Sequence, residues 1–341
     1  MQDDSGRPHP NYPDMLAALE TIARLAEEYG IETDGASYSF IQLLCRDTGF
    51  FRSFIDYVLQ DHPHSRLGFQ ICVCLRQLRD SDLDEYQRIG LACAVHDDAR
   101  VAWGAANAVC IGPQRGSPVR QDLVIIAKLA RHSDPSVRRL AIYGAGAMAH
   151  ESAFTKDAIQ IIAEVDIAGS ARIADEICDA FGQRGLSVTE LTRRQIDEIL
   201  RQFVEIDRLR NHEYEVFLSK IGEYAPDLLF RYLLKRLRRF SELPGRRGFR
   251  YLVWRDESPR HYFRKASVPA GAADQLREAR DTLLCDDVPT SYVASLFWVF
   301  GNAAGAAEQA LQEWLSSGEP KKMQRAEYLA DVRRSFVDDS T

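Results

Sequence analysis

No stretch of the 341-residue chain is apolar for the roughly 18–20 residues that a membrane-crossing helix needs. The longest apolar run, 292–300, is too short and sits on a helical pattern. Residues 1–12 are acidic and proline-bearing and lack the apolar core of a secretion signal. Convincing period-2 alternation is missing, which argues against a β-scaffold. The devices that depend on strands are missing too: there is no GxxxxGK[ST] loop, no GxGxxG after a strand and no GxSxG elbow. HExxH is also absent. The seven cysteines are odd in number and none has CxxC spacing, so neither a disulfide framework nor a zinc ribbon is supported. Cys72 and Cys74 are two apart on a helical segment and point to different sides of it. Reduced, buried thiols are the expected state. Together these absences lead to the expectation of a cytoplasmic protein with no membrane segment, no cofactor and no resident metal.

What is present is helix. Hydrophobic residues make up 45% of the chain and the mean hydropathy is −0.29, enough for a packed core. A period near 3.6 predicts a first helix over 13–29, with Leu16, Leu19, Ile22, Ala23 and Ala26 on one stripe and Gly30 closing it. Further helices are expected at about 37–46, 50–60, 66–79, 83–96, 99–111, 118–132, 136–149, 153–165, 170–182, 189–207, 213–223 and 226–240. A last group is expected at about 272–285, 290–302, 305–316 and 321–336. Short links such as Asp80-Ser81-Asp82 and Ser133-Asp134-Pro135 carry residues that cap the next helix.

The chain repeats itself. Val101, Val137 and Ile173 fall 36 residues apart; Ala105, Ala141 and Ile177 follow in register, then Ala108, Gly144 and Ala180. Small residues at a repeated position let neighbouring helices approach closely. A period of this length built from two helices points to stacked helical hairpins. Asp134-Pro135-Ser136-Val137-Arg138 resembles the D-x-x-V-R turn of HEAT repeats, and Asp98-Ala99-Arg100-Val101 matches its first four positions. The likeness covers about 65–185. It implies an all-α fold, a right-handed α-solenoid of stacked antiparallel hairpins of the HEAT/armadillo kind, in which Asp134 and Arg138 stabilise turns and neighbouring repeats. The expected organisation is a disordered tail (1–12), a HEAT-like solenoid (13–240), an irregular basic and aromatic connection (241–271) and a C-terminal helical capping region (272–337).

Charge is unevenly spread. Residues 207–265 hold 15 Lys/Arg against 8 Asp/Glu, a local balance of +7 in a chain whose total is −7. Arg231, Lys235, Arg238 and Arg239 recur at helical spacing, and Arg236, Arg246, Arg247 and Arg250 extend the cluster. Tyr232, Phe240, Phe249, Tyr251 and Trp254 are interleaved with them. Two readings stand side by side: a surface for an anionic partner, or a solvated face paired to the acidic remainder. The expectation taken forward is a non-catalytic protein-interaction scaffold. It binds an acidic or phosphorylated protein through Arg231, Lys235, Arg238, Arg239, Arg246, Arg247, Arg250 and Trp254. Nucleic-acid binding is the alternative, opposed by a pI near 5.7. A DNA-repair-type solenoid would draw on Trp103, Asp175, Asp179 and Trp254. A metal-dependent phosphohydrolase would draw on His62 or His64, His96-Asp97 and one of Asp98, Asp122 or Asp134. Asp beside a helix start is an ordinary cap, so turn roles compete with this last reading.

Overall fold

The computed structural model describes residues 11–30, 34–60, 66–111, 118–206, 212–225, 227–229, 231–232, 235–236, 312–324, 326–327 and 330. Among the described residues all regular structure is helical. The α-helices are α1 (Tyr12–Glu28), α2 (Asp34–Leu44), α3 (Thr48–Leu59), α4 (Ile71–Ser81), α5 (Leu83–Ala94) and α6 (Ala99–Ala106). They continue with α7 (Arg120–Leu129), α8 (Pro135–Met148), α9 (Thr155–Glu164), α10 (Ala171–Gly182), α11 (Arg193–Val204) and α12 (His212–Tyr224). Short 3-10 turns cover Gly68–Gln70 and Val188–Glu190, and a π turn covers Asn107–Ile111. None of these helices is long and apolar enough to cross a membrane.

Five of the twelve α-helices start behind a polar side chain that accepts from their free N–H groups. Asp47 accepts from Phe50 N–H, Asp82 from Glu85 N–H and Asp98 from Arg100 N–H. Thr192 and Gln195 bond each other's backbone N–H and so delay α11 to Arg193, after a short 3-10 turn, where one helix over 189–207 was expected. The helix expected over 99–111 is likewise divided, with α6 ending at Ala106 and the chain widening into the π turn.

The chain divides into two compact units, residues 1–166 and 167–341. In the first, α4 touches α6 and α6 touches α8, while α5 touches α7 and α7 touches α9. Neighbours in sequence also pack together, as α4 with α5 and α7 with α8. The helices therefore lie in two rows, and Leu75 of α4, Val101 and Ala105 of α6 and Val137 and Ala141 of α8 are buried. Burying apolar area between rows is what stabilises helices of 8–14 residues, which are marginal alone. Cys72 and Cys74 do face different sides of α4, yet both are fully buried because helices cover α4 on more than one side. All six described cysteines are free and buried; Cys285 lies outside the described residues. In the second unit α10 packs on α12, and Phe181, Phe203 and Phe217 form a ring cluster with centroids 5.6 and 6.1 Å apart.

One expected core stripe is not buried as a whole. On α1 only Leu16 and Ala26 are covered, and Ile22 is 59% exposed. Tyr12 packs against Phe50 of α3 with ring centroids 6.1 Å apart, and Leu19 and Ala23 are half-buried.

Candidate functional site

The basic stretch splits into inward and outward residues as far as it is described. Arg231 is exposed, with Nη2 3.8 Å from Asp227 and 4.0 Å from Asp197; Lys235 is exposed as well. Arg236 is buried instead and donates to the carbonyls of Phe203, Val204 and Ile206, at and just beyond the end of α11. Tyr232 is buried too, its hydroxyl 2.7 Å from that of Tyr214. Both were grouped with the anion-facing surface by sequence, and both turn inward, where helix-end carbonyls and a second phenol supply their polar partners. Arg238, Arg239, Arg246, Arg247, Arg250 and Trp254 lie outside the described residues.

The histidines considered for metal binding have other partners. His96 Nδ1 accepts the Asp98 N–H at 3.0 Å, and His132 Nδ1 accepts the Asp134 N–H at 3.0 Å, 36 residues on. His132 Nε2 lies 3.2 Å from the His96 carbonyl, so this ring is protonated at Nε2 and ties one turn to the next. Asp134 caps Ser136 and Val137, and the buried Arg138 donates to the carbonyls of His132 and Ser133, both at 2.8 Å. Among the described residues no group of three or more His, Cys, Asp or Glu side chains is placed to hold a metal; His62 and His64 lie outside them. Asp134→Ala is expected to cost about 1 kcal/mol of stability, the usual value of an N-cap, read from urea unfolding followed by circular dichroism.

A cavity of about 580 Å³ opens in the first unit between α2, α4, the π turn, α7 and α8. Two arginines one helical turn apart on α4 reach it. Arg79 makes a two-pronged ion pair with Asp122 of α7, Nη2–Oδ2 2.7 Å and Nε–Oδ1 3.0 Å. Asp122 also accepts from the Tyr86 hydroxyl at 2.7 Å and the Val119 N–H at 3.0 Å. The bond to Asp122 raises the Arg79 guanidinium further above neutrality, and burial followed by the Asp122 charge pushes the Tyr86 phenol upward.

Arg76 is held differently. Nη1 donates to the Tyr38 hydroxyl at 2.8 Å, and Nη2 donates to the Asn107 side-chain oxygen at 2.7 Å and its carbonyl at 3.3 Å. The guanidinium also lies 5.7 Å from the Tyr38 ring centre. Arg46 stands exposed at the rim. Val73, Cys110 and Met148 add apolar surface to the lining. Burial pushes the Cys110 thiol up to about 12, so it is no nucleophile near neutral pH.

Sequence reasoning did not find this cavity. Asp122 was noticed only as a possible metal ligand, and Arg76 and Arg79 not at all. The available signal was two arginines three apart on the helix that carries Ile71, Val73, Leu75 and Leu78.

Of the residues weighed for a repair-type groove, Trp103 falls in the first unit, Asp175 and Asp179 fall in the second, and Trp254 lies outside the described residues. Trp103 packs on Phe69 with ring centroids 6.0 Å apart. Asp179 pairs with Arg184, while burial, with Glu213 and Glu176 nearby, raises the Asp175 carboxyl. No family model matches the chain, and no curated protein matches it in sequence.

Proposed function

We propose that the chain is a HEAT-like helical-repeat scaffold, a right-handed solenoid that binds an acidic or phosphorylated protein partner and carries out no catalysis. The observation that carries this reading is the turn built twice from the same hydrogen bonds, His96 to Asp98 and His132 to Asp134, at a spacing of 36 residues. Turns sharing this bond at a fixed interval, joined by the His132–His96 contact, are what stacked hairpins need to propagate one geometry. The two rows of helices in the first unit support it. Such scaffolds bind through the side chains along their surface, and the richest positive charge on this chain is at 207–265. Arg231 and Lys235 stand exposed at its start, while the buried Arg236 anchors the same segment.

Changing Arg238, Arg239, Arg246 and Arg247 together to Glu is expected to abolish partner capture from lysate of the native cell, with helicity unchanged by circular dichroism. Capture of the wild-type partners by that variant refutes the reading. Filter binding against added salt separates nucleic acid from protein, since phosphate-backbone contacts lose affinity steeply as salt rises.

A further inference from the structure

We propose that the cavity of the first unit is a binding site for a small organic anion, a carboxylate or phosphate monoester joined to a flat or apolar body. It goes beyond the scaffold reading and shares no residue with the basic stretch.

The proposal rests on the contrast between two arginines of one helix. Arg79 is neutralised by Asp122 in a closed pair. Arg76, half-buried, has only neutral partners: the Tyr38 hydroxyl and ring and the two oxygens of Asn107. Among the described residues no carboxylate lies within ion-pair distance of it, and the same holds for Arg46 at the mouth. A guanidinium drawn out of water gains most from a counter-charge that also accepts its hydrogen bonds. Neutral acceptors fix its direction, and the two carboxylates of the lining, Asp80 and Asp122, make no ion pair with it.

The local backbone is arranged for this task. The π turn Asn107–Ile111 widens the helix where Asn107 meets Arg76, so one residue offers its carbonyl and its side-chain oxygen to the same nitrogen. Inserted π turns of this kind are frequent at functional sites. Tyr38, on α2, clamps the other side. A volume of about 580 Å³ is that of a small-molecule pocket. The lining joins the polar groups of Arg76, Arg79 and Tyr38 to the apolar Val73, Cys110 and Met148, which fits a ligand with one acidic end and an apolar body.

Phenyl phosphate and benzoate are the probes, with benzyl alcohol as the neutral counterpart, titrated into the full chain and followed by ligand-observed NMR. At least one of the anions is expected to bind saturably, and the alcohol at least tenfold more weakly. The stronger of the two anions tells phosphate from carboxylate. Arg76→Gln is expected to weaken anion binding about ten- to a hundredfold, the worth of a charged hydrogen bond. Because Arg76 also ties α2 to the π turn, Arg46→Ala provides a second variant at an exposed position. It is expected to fold as wild type and to weaken the anion severalfold without affecting the alcohol. The proposal is overturned if neither anion saturates the wild-type protein, if the alcohol binds as tightly, or if a folded Arg46→Ala and a folded Arg76→Gln both bind the anions unchanged.

Discussion

Asp122→Ala lowers the unfolding free energy by about 3–5 kcal/mol, the cost of stranding one member of a buried ion pair. Asp122 is 6% exposed at its side chain and Arg79 17%, so water replaces the lost partner poorly. The carboxylate also serves Tyr86 and the Val119 N–H, which would be left without an acceptor. Three helices are joined at this one group: α4 through Arg79, α5 through Tyr86 and α7 through Asp122 itself. Tyr86→Phe removes a single hydroxyl and is expected to cost only about 1 kcal/mol. The double change Arg79→Met with Asp122→Leu is expected to recover most of the loss, because an apolar pair of similar volume avoids the desolvation penalty. Denaturant unfolding of the four proteins checks the order. A loss below about 1 kcal/mol for Asp122→Ala contradicts the account.

Gly104→Ala is expected to destabilise by about 1–3 kcal/mol, the range for overpacked interiors, although alanine is intrinsically the better helix former. In a free helix interior that change favours folding by about 0.5–1 kcal/mol. Here a Cβ would stand 2.5 Å from the Phe69 carbonyl oxygen and 3.0 Å from that of Gly68, on backbone that the 3-10 turn holds in place. Gly90 is the comparison: an added Cβ there would meet the buried Ile125 side chain rather than backbone. Gly90→Ala is expected to cost less than Gly104→Ala, because a side-chain end shifts more readily than a backbone carbonyl. If Gly104→Ala proves as stable as Gly90→Ala, α6 does not lie on the 3-10 turn as described.

Much of the helical layout was readable in advance, and particular elements show why. The helix expected over 136–149 appears as Pro135–Met148 and that over 170–182 as Ala171–Gly182. Their apolar periods are clean, and proline or serine marks the start. Gly144 was singled out as a close-packing position, and an added Cβ there would meet Cys110 Sγ at 2.3 Å. The π turn was invisible, since an i→i+5 bond pattern leaves no mark in residue type. It depends on how α6 rests on its neighbours and on Arg76 reaching Asn107. The pair Arg79–Asp122 was hidden by its separation of 43 residues. In sequence, a buried arginine and one on a wet surface look the same. Arg236 illustrates the converse, a member of a basic cluster that serves as a helix-end cap.

Composition and periodicity alone decided that the described chain is helical throughout and where most helices begin, because those choices depend on contacts a few residues long. Which arginines are neutralised, which cap a helix and which face a cavity with neutral partners was decided only when the helices packed. Charge pairing acts across space, and a carboxylate 43 residues away or a helix end some 30 residues back becomes a neighbour only in the folded protein.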